Sequence, residues 1–198
     1  MPRRIIGLLI LLLLWTAHAF PQSTPAHVEL FGGYTYINPD FTLVSPNGVN
    51  GWNVSANIKA PHGLGVVADF SGFYSSYTYR QDGQDITFSG QAYTFLFGPQ
   101  YSIQRGRFVP FARFLLGAVH VTPQSYPGGS SNFFRSNNGL SLATGGGLDY
   151  YLTHHLALRG QIDWLYTRLT PLGGGDPGVN YIKNRNVARI STGIVFRF

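Results

Sequence analysis

The 198-residue sequence contains no cysteine, which excludes a disulfide framework, a thiolate metal site and cysteine nucleophiles. Charge is also scarce, with 11% charged residues against 15% aromatic ones, so there is little to solubilise the surface of an ordinary globular domain. Long apolar runs are nearly absent. One stretch, Ile5 to Trp15, is continuously greasy, and nothing after it approaches the ~20 apolar residues that a membrane-spanning helix needs. Glycine and proline, 25 and 12 of them, interrupt the chain too often for many helices.

The single apolar run has a clear explanation. Arg3 and Arg4 precede it and "TAHA" (Thr16 to Ala19) follows it, which is the order of a secretory signal peptide with an A-x-A cleavage site. Residues 1–19 are expected to be removed, leaving residues 20–198 as one domain. Losing Arg3 and Arg4 lowers the formal charge from +6 to +4, which weakens any nucleic-acid reading of the basic composition.

The remaining signal has period two. In "LALRGQIDWLYT", Leu156, Leu158, Gly160, Ile162, Trp164 and Tyr166 share one face, and Ala157, Arg159, Gln161, Asp163, Leu165 and Thr167 share the other. The same split recurs at the C-terminus, where Ile190, Ile194, Phe196 and Phe198 oppose Arg189, Ser191 and Arg197. Further strands are expected at Val28 to Asn38, Val49 to Lys59, Gly63 to Ser75, Phe88 to Ile103, Phe108 to His120 and Gly139 to Leu152. Short links at Ala60 to His62, Gln104 to Arg107 and Thr153 to His155 alternate with long ones at Pro39 to Gly48, Ser76 to Thr87, Val121 to Asn138 and Leu169 to Asn184. This alternation predicts an all-β fold: an eight-stranded antiparallel up-and-down transmembrane β-barrel with both termini at the short-turn, periplasmic end.

Energy decides which face meets lipid. An Arg or Lys facing the bilayer midplane from a barrel costs roughly 2 to 4 kcal/mol. Lys59, Asp69, Arg113, Asp149, Arg159, Asp163, Arg189 and Arg197 are therefore expected to point into the lumen. Isolated buried charges are expensive, so Asp149, Asp163 and Asp69 are the natural partners of Arg159, Arg189 and Arg113. Keeping Arg113 off the lipid face places Phe114 and Leu116 outside but leaves Phe111 and Leu115 inside. A barrel of about eight strands has room only for side chains, so the lumen should be plugged. Tyr34, Tyr36, Trp52, Tyr74, Tyr93, Tyr101, Tyr150, Trp164 and Tyr166 suit interfacial girdles.

Catalytic and metal readings find little support. His120, Ser125 and Asp82 could make a triad only if distant segments converged. His62, His154 and His155 fall in turns, and adjacent histidines do not share a strand face. The glycine-rich stretches Tyr126 to Phe134 and Pro171 to Tyr181 lack the Lys-Ser/Thr ending of a phosphate loop and read as surface loops. No catalytic residue, metal or cofactor is expected.

The stretches "VELFGGYTYINPDF", "GWNVSANIKAPHGLGVVADFSGFY", "YTFLFGPQYS", "GGGLDYYLTHHLALRGQIDWLYTRL" and "RISTGIVFRF" resemble the OmpA-like outer-membrane β-barrel domain family. The resemblance implies an integral outer-membrane barrel, surrounded by outer-membrane lipids and lipopolysaccharide and inserted by the barrel-assembly machinery. It also implies that the terminal strand, with Ile194, Phe196 and Phe198 on one face, is the insertion signal. The resemblance is to the barrel and not to the peptidoglycan-binding domain that full-length OmpA carries after it, so cell-wall anchoring is not carried over as an expectation. The expected role is structural or surface-interacting, as a monomer with an unknown extracellular ligand and no nucleic acid. A small-solute channel and a lipid-modifying enzyme are the alternatives.

Overall fold

A computed structural model describes residues 27–37, 48–81, 84–123, 137–169 and 184–198. The expected signal peptide, Asp82, Ser125 and the two glycine-rich loops lie outside the described residues. Eight strands follow one another: β1 (His27–Ile37), β2 (Val49–Lys59), β3 (Leu64–Gln81), β4 (Gln84–Ser102), β5 (Phe108–Pro123), β6 (Asn137–Tyr151), β7 (Leu156–Leu169) and β8 (Asn184–Arg197). Each pairs antiparallel with the next, and β8 returns to β1, so the sheet closes and no strand edge is left along the wall.

The register fixes the shape. A row of paired residues that starts at Ile37 passes through Arg189, Asp163, Gly145, Arg113, Gln100, Gly65 and Lys59, and re-enters β1 at His27. The ten-residue offset between departure and return is the stagger that tilts the strands, by roughly 35 to 45° in barrels of this kind.

Short turns close one end. Between β2 and β3 the Ala60 amide donates to the Leu64 carbonyl at 2.7 Å around a 3-10 turn over Pro61–Gly63. Gly63 there sits at φ +83, a left-handed conformation that glycine adopts without cost. Arg105 and Phe108 exchange backbone bonds across the β4–β5 turn, and the Leu152 amide meets the Leu156 carbonyl at 2.9 Å across the β6–β7 turn.

One expected connection is corrected. Ser76 to Thr87 was expected to be a long link, but β3 and β4 continue pairing through it as far as Gln81 opposite Gln84. The β2–β3 ladder ends at Asn50 opposite Tyr74 and the β4–β5 ladder at Gly90 opposite Pro123. The two strands therefore run on as a ribbon past the barrel rim. Tyr77 and Tyr79 pair with Phe88 and Ile86 on one face of the ribbon, and Thr78 and Arg80 with Thr87 and Asp85 on the other, so period two continues past the expected strand end at Ser75.

Along the wall the two faces separate cleanly. Phe114, Leu116, Ile162, Trp164, Ile190 and Ile194 are exposed on the outside, while Phe111 and Leu115 are buried inside beside Arg113. The lumen holds two apolar clusters. One contains Ile37, Val49, Val67, Phe73, Leu96, Leu115, Ala143, Leu165 and Val187, and the other Phe31, Val109, Tyr151, Ala157 and Val195. No helix among the described residues is long and apolar enough to cross a membrane, which does not bear on crossing by strands.

Candidate functional site

Two ionic groups share the lumen with those clusters. In the first, Asp163 receives Arg113 through Nε at 2.8 Å and Nη2 at 2.6 Å, and also Arg189 through Nη2 at 2.8 Å. Arg189 comes from β8 and reaches across to Asp69 on β3, with Nη1 to Oδ1 at 2.9 Å. Arg113 Nη1 closes the square at 3.4 Å from Asp69. All four side chains are buried. The simple pairs expected from sequence are thus shared: Asp163 serves both arginines, and Asp69 serves Arg189 more closely than Arg113.

Neutral side chains complete the quartet. Asn53 Nδ2 donates to Asp69 at 3.0 Å and to Ser71 at 2.9 Å, and Gln161 Nε2 donates to Asn53 Oδ1 at 3.0 Å. The Ser71 hydroxyl also accepts from Arg189 Nη1 at 2.7 Å. These bonds matter because a charge withdrawn from water must regain its lost hydration from neighbouring dipoles and counter-charges.

The sequence makes room for this arrangement with glycine. Gly145 stands on β6 between Arg113 on β5 and Asp163 on β7 in the same register row. A Cβ there would lie 2.1 Å from the Ile162 carbonyl and 2.7 Å from Asp163 Oδ1, so any larger residue would push against the β7 backbone and the carboxylate.

The second ionic group lies towards the short turns. Arg159 grips Asp149 with Nε at 2.6 Å and Nη2 at 2.7 Å, and its guanidinium sits 4.6 Å from the Phe111 ring centroid and 5.3 Å from that of Phe31. Glu29, which the sequence reading passed over, accepts from Lys59 Nζ at 2.6 Å and from the Tyr151 hydroxyl at 2.6 Å. It also lies 3.6 Å from Arg159. The signal for Glu29 was present, since Val28 and Leu30 face outward and alternation turns Glu29 inward. Arg197, the last of the eight, is half-buried with its Cζ 5.6 Å from the Tyr151 ring centroid.

The outer face carries different chemistry. Ile194, Phe196 and Phe198 are exposed in a row, and the Phe198 amide bonds the Val28 carbonyl at 2.9 Å, zipping the chain end onto β1. Tyr34 donates to Asn50, Trp52 Nε1 to Tyr74 at 3.2 Å, and Trp164 Nε1 to Asn186 at 3.3 Å. Rings with an apolar body and a hydrogen-bonded tip suit a boundary between hydrocarbon and water. His120 contacts Asn138 and Thr122, while His62, His154 and His155 are exposed at the turns. None of them hydrogen-bonds a serine or a carboxylate among the described residues.

Solved structures share this architecture. The attachment invasion locus protein Ail of Yersinia pestis, in complex with the heparin analogue sucrose octasulfate, is 18% identical over 88% of this chain and 100% of its own, with a TM-score of 0.57. A major outer membrane protein from Thermus thermophilus is 15% identical over 88% and 100%, at 0.54. Neisserial surface protein A is 16% identical over 87% and 97%, at 0.53. No curated protein matches the sequence. The closed up-and-down sheet, its greasy exterior and its ionic interior are those of a membrane barrel, and a family model described as the outer membrane protein beta-barrel domain matches residues 7–198: the chain belongs to that family and resides in the outer membrane.

Proposed function

We propose that this protein is a closed barrel that works through its ends and not through its lumen. The observation that carries the reading is the quartet of Asp69, Arg113, Asp163 and Arg189, which joins β3, β5, β7 and β8 across the interior through contacts of 2.6 to 3.4 Å. A solute crossing the lumen would have to part these pairs and pass two apolar clusters. The short-turn end faces the periplasm and the long-loop end the exterior, so the β3–β4 ribbon stands outside the cell as the surface for interaction. Residues 1–19 are the export signal. Ile194, Phe196 and Phe198 mark the last strand for the assembly machinery, and the barrel sits as a monomer among outer-membrane lipids and lipopolysaccharide.

Planar-bilayer recording of the folded protein tests the closed lumen, with a flat baseline expected and stepwise conductance favouring a channel. Orientation is checked separately. Thr78→Cys, on the ribbon, should react with an impermeant maleimide on intact cells, and His62→Cys only after permeabilisation. The reverse pattern would turn the barrel over.

A further inference from the structure

At the short-turn end the lumen opens into a cavity of about 430 Å³, lined in part by Lys59, His62, Tyr101, Ser102, Tyr151 and Arg197. Among the side chains of the described residues the charges around it do not balance, and Phe198 with its carboxylate is not part of the lining. From the quartet down to this rim, the inward-facing carboxylates are Glu29, Asp69, Asp149 and Asp163, and the cations are Lys59, Arg113, Arg159, Arg189 and Arg197. Each carboxylate has its own cation: Lys59 for Glu29 at 2.6 Å, Arg189 for Asp69 at 2.9 Å, Arg159 for Asp149 at 2.6 Å and Arg113 for Asp163 at 2.6 Å. Arg197 is left over, and among the described residues only the Tyr151 ring meets its guanidinium.

Lys59 reinforces it. An ammonium has three donors, and Glu29 takes one of them, while the Lys59 side chain stays 12% exposed on the cavity wall. Glu29 offsets part of the Lys59 charge, but it is 1% exposed and does not line the mouth, which leaves Arg197 as the cation there without a carboxylate. An arginine fork without a carboxylate, a lysine with free donors and the Ser102 hydroxyl thus share one half-enclosed space.

We propose that this mouth binds an oxyanion, a single phosphate or carboxylate group held between Arg197 and Lys59. The planar guanidinium offers two parallel N–H donors to such a group, and the ammonium adds a point charge. The cavity is of the size that small-molecule sites occupy, so it admits an oxyanion together with a short organic body. Two sources present this chemistry at that end of a barrel: a phospholipid headgroup from the adjoining leaflet, or a soluble anion. Only the identity of that leaflet rests on the orientation proposed above. The site itself does not.

The test is nitrogen-15 NMR of the folded full chain. In zwitterionic micelles, inorganic phosphate titrated at constant ionic strength against chloride should give saturable shifts at the Arg197 side chain and the Gly63 amide if the anion is soluble. In phosphatidylcholine nanodiscs without free phosphate, added phosphatidylglycerol should give saturable shifts of the same resonances if the source is a lipid headgroup with net negative charge. Either pattern supports the site. Arg197→Gln should weaken the binding by about tenfold, the loss expected for one charge-assisted contact, and Arg168→Gln at the opposite end should leave it unchanged. The proposal is overturned if neither probe gives a saturable shift, if chloride acts as well as phosphate, or if R197Q binds as tightly as the parent. The parent titration decides the matter even if that variant does not fold.

Discussion

The two faces of β7 are one residue apart and obey opposite rules. Ile162 and Trp164 are 59% and 54% exposed, whereas Asp163 between them is fully buried. In a water-soluble barrel this would be an unstable inversion, with a greasy surface inviting aggregation and ions stranded inside. Here the outer solvent is hydrocarbon, so exposure costs the apolar residues nothing, and the lumen becomes the only place where ions find dipoles and each other. The contrast teaches that polarity is sorted by solvent and not by depth.

That contrast can be broken first from the inside. Asp163→Ala leaves Arg113 and Arg189 buried around one shared carboxylate, and we expect a loss of about 3 to 5 kcal/mol in urea unfolding of the folded barrel in lipid vesicles. A loss below about 1 kcal/mol would mean that water reaches the quartet freely. From the outside, Ile162→Arg puts a cation into the bilayer and should cost about 2 to 4 kcal/mol in the same assay. If I162R were neutral, the outer face of β7 would not meet hydrocarbon.

The boundary between the faces is probed by Gly145→Val. Its side chain would intrude on Asp163 Oδ1 and the Ile162 carbonyl, and overpacking of this kind costs about 1 to 3 kcal/mol. Adding Asp163→Ala to it should give less than the sum of the two, because the same ion pair is lost only once. At the rim, Tyr34→Phe removes an exposed hydrogen bond to Asn50 and should change stability by less than about 0.5 kcal/mol. A larger effect there would make the girdle a structural clamp and not a solvent boundary.

Much of the wall was legible because its two solvents differ so sharply. The expected bounds of β2 coincide with Val49–Lys59, and the awkward choice on β5 that sends Phe111 and Leu115 inward follows from the charge on Arg113 alone. The ribbon was missed although Tyr77, Tyr79, Ile86 and Phe88 alternate with Thr78, Arg80, Asp85 and Thr87, because a polar stretch between two strands reads as a loop when the apolar side of the alternation is short. The expected pairs of Arg159 with Asp149 and Arg189 with Asp163 form, but the sharing of carboxylates between arginines was not legible. Cross-strand neighbours such as Asp149 and Arg159 follow from adjacency, but Arg189 reaching Asp69 depends on the stagger that brings β8 opposite β3. That stagger is a property of the closed ring, and Glu29 shows the complementary failure, a residue correctly alternating yet unremarked because one charge among apolar neighbours draws little notice.

Ring closure has one further consequence, for the birth of the molecule. The strand made first is partnered by the strand made last, so a ribosome must finish nearly the whole polypeptide before β1 has anything to hold on its second side. A nascent chain halted before residue 184 presents two raw edges and a coat of oil, the combination that escorts and proteases act upon. Premature stop codons anywhere upstream should therefore yield no smaller barrel, only fragments cleared from the envelope.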